Sequence, residues 1–160
     1  MGDFRTTQYE APDFKIRPTE AHDAVGRLRE IIARRNEDHS FWGWKVPNSI
    51  YYIRSIVHLL RDPVFMFVYR DVLEIARSSA KHDNKDWDVE GPKLIDVAKN
   101  HTGRVQEFQA SLRKPHHVFQ LAEIHSDPER FVAALVEIIQ PLQADPAPIL
   151  RFVDRYGGYH

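Results

Sequence analysis

FWGWKVPNSIYYIRSIVHLLRDPVFMFVYRDVLEIARSSA, residues 41–80, decides how the whole chain is read. It opens with a short apolar segment, Trp42 to Lys45, which ends in a lysine and is followed by Pro47 and an amphipathic pattern. After a turn at Arg61-Asp62-Pro63, a second apolar run, Val64 to Tyr69, ends in Arg70 and leads into another helical pattern. This alternation predicts β-α-β-α, and strands joined through a helix lie parallel. One cation stands at the end of each candidate strand. Ligands of open α/β sheets bind in the crevice beyond the carboxyl ends of the strands, so Lys45 and Arg70 are placed to hold an anion.

Within this stretch Asn48 is positioned to cap a helix that turns Ile50, Ile53, Ile56, Val57 and Leu60 inward. Val64 to Tyr69 is a continuous run of β-branched and aromatic residues, the composition of a strand buried on both faces. Upstream, residues 1–17 are aperiodic and read as an N-terminal arm, with a strand at best around Phe14 to Ile16. A helix capped by Thr19 follows, with Val25, Leu28, Ile31 and Ile32 on one side, Arg27, Arg29, Arg34 and Arg35 on a solvated face, and fraying near Asn36. Downstream, Lys81 to Gly91 reads as a polar loop over the rim of the sheet. The pattern then predicts a helix over 92–113, a third buried strand from His117 to Ile124, and a helix starting at Ser126-Asp127-Pro128-Glu129, with Pro128 near the first helical position. Pro141, Pro146 and Pro148 punctuate a linker before a last helical turn around Ile149 to Val153.

Composition narrows the classes. A length of 160 residues suits one domain with a core of its own. With 22 basic and 23 acidic residues there is no strong net field, so neither nucleic acid nor an anionic membrane surface is an expected partner, and any anion site must be local. The chain has no cysteine, which excludes a disulfide framework and a thiolate zinc site and suits a reducing compartment. With no leader pattern and no apolar run of about 18 residues, the expectation is a soluble, cytoplasmic protein. His116-His117 is the only adjacent histidine pair, and on a strand the two would point to opposite faces, so no metal site is expected.

Gly43-Trp44-Lys45-Val46-Pro47, Phe67-Val68-Tyr69-Arg70-Asp71, Ser78, and Glu123 with Asp127-Pro128-Glu129 together resemble the carboxyl-terminal two thirds of the sulfotransferase family that uses 3′-phosphoadenosine 5′-phosphosulfate. The resemblance spans residues 41–139, and its most specific part is an arginine ending a strand with a serine eight residues later on the next helix. It implies an α/β fold, a P-loop-like three-layer sandwich with a short, mainly parallel sheet flanked by helices, truncated relative to the family. It also implies that Arg70 and Ser78 bind the cofactor by its 3′-phosphate, adenosine 3′,5′-bisphosphate being the product form. Lys45 is implied as the catalytic cation that stabilises charge around the transferred sulfuryl group. The acceptor would be a hydroxyl or amine of a small molecule or glycan. Glu123 matches the family's tyrosine-glutamate turn, with Ala122 in place of the tyrosine.

Physical reasoning leads to the same pair. A guanidinium at a strand end offers a fork of donors matched to phosphate oxygens, and a helix after it points free N–H groups into the same crevice. A salt bridge to Asp71 or another carboxylate is the structural alternative for Arg70, and Ser79 is the adjacent alternative to Ser78. Trp42, Trp44 and Tyr69 suit either a purine stack or the core.

The chain also departs from the family. Nothing before Phe41 matches the glycine/serine/threonine-rich loop that cradles the 5′-phosphosulfate, Val46 replaces an acidic residue beside the lysine, and no histidine sits in a recognised catalytic motif. Two readings therefore stand side by side. One is a sulfotransferase-like enzyme; the other is a catalytically inactive sulfotransferase-fold interaction module, or a fragment of a longer chain. The second expects a homodimer, because an open sheet edge is usually covered.

Overall fold

A computed structural model of the chain describes residues 21–140 and 145–156. The arm over residues 1–17 and the Thr19 cap lie outside the described residues. The chain divides into two compact units, Met1–Arg61 and Asp62–His160.

In the first unit, α1 (Ala21–Asp38) runs past the expected end at Asn36. Asn36 serves as a connector there: its Nδ2 donates to the carbonyl of Leu59 (3.2 Å) and its Oδ1 accepts from the Trp42 indole (3.1 Å). Ile32 is buried in α1, which packs on α2 (Ile53–Ile56).

Two expectations fail in this unit. Trp42 to Lys45 forms no strand, and residues 42–46 have no regular structure. A strand needs a ladder partner for its backbone groups, whereas here the side chains tie the segment down. The Trp42 and Trp44 rings stack with centroids 5.5 Å apart, and the Trp44 indole donates to Ser49 Oγ (3.0 Å). The helix expected after Asn48 is also broken into a 3-10 turn (Pro47–Tyr51), the single turn of α2 and a second 3-10 turn (Val57–Leu59). No side chain caps the first turn, and Pro47 rather than Asn48 opens it. Ile50, Tyr51, Tyr52, Ile53, Ile56 and Val57 are β-branched or aromatic, and such residues lose side-chain freedom in a regular helix. Burial still selects the expected apolar positions, for Ile53 is buried and Ile56 is 0% exposed.

The second unit is mixed α/β and mostly helical. Its strands β1 (Phe65–Tyr69) and β2 (His116–Gln120) pair in parallel, with Phe65 opposite His116 and Tyr69 opposite Gln120. They form a two-stranded sheet among the described residues. The crossover between them is made by α3 (Val72–His82) and α4 (Trp87–Ser111). Phe65 and Phe67 lie on one face of β1, both with rings edge-on to Phe108 of α4, at 5.6 and 6.2 Å. On the opposite face Phe119 meets Phe131 of α6 (Pro128–Ile138), ring to ring at 5.1 Å. Helices α3 and α4 pack through Ala76, Ala80, Leu94 and Ala98, with Val72, Ile75, Trp87 and Ile95 around them. Small alanines at the seam let the two helix backbones approach closely. Gly91 belongs to the same fit, since a Cβ there would sit 3.2 Å from the Trp87 ring.

The segment expected as a loop over Lys81 to Gly91 is mostly helix. Only residues 83–86 separate α3 from α4: Asn84 takes a left-handed conformation (φ 52°) that short polar side chains tolerate, and Asp86 caps α4 by accepting from Asp88 N (3.0 Å). Asp88 and Glu90, within the segment expected as a loop, lie in the first turn of α4, where the helix dipole favours negative charge. The third strand is likewise shorter than expected. β2 stops at Gln120, and 121–126 form α5 (Leu121–Ser126). The helix start at Asp127-Pro128 is as expected, with the Asp127 carboxylate accepting from Arg130 N (3.0 Å) and Pro128 at the head of α6. The last helix, α7 (Pro146–Tyr156), is longer than the expected turn.

No helix among the described residues is long and apolar enough to cross a membrane.

Candidate functional site

Arg70 leaves the carboxyl end of β1 and Asp71 opens α3, so strand end and helix start are adjacent in the chain. Asp71 is the N-cap, and one of its carboxylate oxygens accepts from Leu73 N (2.8 Å) and Glu74 N (3.1 Å). Those amides are the donors a helix start would otherwise offer to an anion. In this chain its own carboxylate takes them. Replacing Asp71 with alanine is expected to lower stability by about 1 kcal/mol through loss of the cap. Urea unfolding should show an earlier midpoint at unchanged slope.

Arg70 is ion-paired, and the partner is Glu74, one turn into α3, rather than Asp71. Its Nε donates to Glu74 Oε2 at 3.0 Å; the arginine side chain is 31% exposed and the glutamate 57%. Ser78 lies four residues beyond Glu74 and is exposed. In a helix that spacing stacks Glu74 and Ser78 on one exposed face, and the Arg70 side chain reaches Glu74 from the strand end. Ser79, the adjacent alternative, is half-buried beside the inward-facing Ala76 and Ala80. Arg77 is turned elsewhere, with its guanidinium carbon 5.6 Å from the centre of the Trp87 ring.

Other candidate residues belong to the first unit or serve as structure. Tyr69 donates its hydroxyl to Gln109 Oε1 (2.6 Å), which ties β1 to α4, and its burial pushes the phenol pKa up. Trp42 and Trp44 stack on each other in the first unit. Lys45 also belongs to that unit; it is exposed, and the strand end that was to present it is absent. Glu123 sits in α5, where its carbonyl, not its carboxylate, accepts from Ser126 Oγ (3.1 Å) and Asp127 N (2.9 Å). His116 accompanies Phe67 on the α4 side of the sheet, ring centres 6.0 Å apart. Among the described residues no group of three or more His, Asp or Glu is arranged to hold a metal ion.

Glu74 is the site residue that the sequence reading passed over. Its signal was present: it stands three residues after the N-cap aspartate and four after Arg70, the spacings of a capping box and of a helical ion pair.

Comparison with known proteins found no family model, no curated protein and no solved structure that matches this chain.

Proposed function

We propose that the second unit is a sulfotransferase-like nucleotide-binding unit that grips the 3′-phosphate of adenosine 3′,5′-bisphosphate, and of its sulfated form, through Arg70 and Ser78. One observation carries the reading: the guanidinium at the carboxyl end of a parallel strand meets Glu74 of the next helix, on whose exposed face Ser78 lies one turn further along. The residues suit a phosphate group. A guanidinium held at Nε keeps its terminal nitrogens for phosphate oxygens, and a serine hydroxyl both donates and accepts. Because Asp71 caps the helix, the contact is made by side chains and not by backbone amides. When bound, the sulfated nucleotide would supply an activated sulfuryl group for in-line transfer to a hydroxyl or amine. The part of this chain's own residues is to anchor the nucleotide's ribose-phosphate end and to neutralise its charge.

The test is calorimetric titration with adenosine 3′,5′-bisphosphate. Arg70→Ala is expected to weaken binding by roughly tenfold to a hundredfold, the usual worth of hydrogen bonds to a charged group. No binding by the wild-type protein, or equal binding by both, removes the reading.

One observation favours a second reading, an interaction module of the same fold without catalysis. Met66 (47%), Val68 (53%) and Val118 (44%) stand exposed on the sheet. A sheet that has two strands among the described residues is normally completed by another element or chain. Sedimentation decides between the two: a dimer with no affinity for the nucleotide supports the module, and a monomer that binds it supports the first reading.

A further inference from the structure

We propose that Glu74 is a positioning residue for the anion site: it holds the Arg70 guanidinium by Nε so that the terminal pair of nitrogens is the edge presented to an incoming phosphate. The inference rests on the reading of Arg70 and Ser78 as the phosphate pair, and it adds the residue that organises them.

Three observations lead to it. First, the contact runs through Nε at 3.0 Å. Arginine binds phosphate best through a two-nitrogen fork, and a carboxylate held at Nε leaves the terminal pair of nitrogens as one such fork. Second, Glu74 stands at the capping-box position, where a glutamate often reaches back to the backbone N–H of the cap residue. Its carboxylate bonds Arg70 instead, while Asp71 alone holds the helix amides. Third, the arginine is the more enclosed partner and the glutamate the more exposed. Water screens the carboxylate's repulsion of a phosphate, while its oxygen still fixes where the guanidinium points. Arginine is long and flexible, and ordering such a side chain before the ligand arrives lessens what binding must overcome.

Two substitutions separate orientation from charge. Glu74→Gln keeps an oxygen able to accept from Nε and removes the negative charge; Glu74→Ala removes both. In titrations with adenosine 3′,5′-bisphosphate, Glu74→Ala is expected to bind about threefold to tenfold more weakly, the range for ordering one rotamer-rich side chain. Glu74→Gln should bind as tightly as wild type or tighter. Tighter binding by both variants would make Glu74 a competitor of the ligand, and unchanged binding by both would make the pair merely structural; either result overturns the proposal. A ligand-free measurement keeps it separate from the nucleotide reading. The Arg70 Nε–H resonance should be protected from solvent exchange in wild type and Glu74→Gln and exchange-broadened in Glu74→Ala. Absence of nucleotide binding by wild type sinks the nucleotide reading, whereas an Nε–H signal indifferent to Glu74→Ala sinks the positioning role itself.

Discussion

Phe108→Ala is expected to destabilise the second unit by about 3–5 kcal/mol, the usual cost of truncating a buried phenylalanine. Phe108 is 4% exposed, and its ring meets Phe65 and Phe67 edge-on, which links α4 to the sheet. Truncation removes both aromatic pairs and leaves a hole lined by rings too rigid to collapse into it. A small domain has only about 5–15 kcal/mol in total. The variant should therefore unfold in urea at a clearly lower midpoint, and Tyr69, bonded to Gln109 next to Phe108, should report the change. Phe108→Leu, which keeps most of the apolar volume, should recover much of the loss. A midpoint within experimental error of wild type for Phe108→Ala would mean that α4 does not hold the sheet through this ring.

Ile56→Ala should have a comparable effect on the first unit, about 2–5 kcal/mol. Ile56 is 0% exposed although it lies in a helix of one turn flanked by 3-10 turns. So short a helix has no stability of its own, because nucleation is costly and few backbone bonds repay it. Burial of Ile53 and Ile56, with α1 packed against their helix, is what holds this segment. The stacked Trp42 and Trp44 are tied to the same unit through Asn36 and Ser49, so loss of its packing should alter tryptophan fluorescence at lower denaturant than in wild type. Ile56→Val, which removes a single methylene, should cost about 0.5–1.5 kcal/mol. An alanine variant no worse than the valine variant would show that the position is not the centre of that core.

The two substitutions also bear on how much of the molecule was legible beforehand. Ile56 stood among the apolar positions that helical spacing selects, Phe108 lies in the helix expected over 92–113, and both are buried. β1, the helix after Arg70 and the Asp127-Pro128 helix start were readable for the same reason, since each is specified by residues adjacent in the chain. The misreadings concern pairing and extent. Trp42 to Lys45 has the composition of a strand, yet its indole groups bond to Asn36 and Ser49 and its rings to each other. HVFQLAEI is apolar enough to continue as a strand beyond Gln120, but the register with β1 ends where Tyr69 does. Past that point β1 offers no further rung, and the backbone turns into α5.

At the candidate site, Arg70 and Ser78 were singled out by the resemblance, and a carboxylate partner for the arginine was the structural alternative beside it. Which carboxylate it would be depended on side-chain direction, and Asp71 was drawn to the amides of the helix it caps.

What the sequence by itself determined, then, is local: the run that forms β1, the helix after Arg70 and the helix start at Asp127-Pro128. These follow from steric preferences and hydrogen bonds between near neighbours. Only the tertiary structure decided which apolar runs found a strand partner, where β2 ended, and that Glu74 holds Arg70, because a ladder or an ion pair exists only when two groups meet in space.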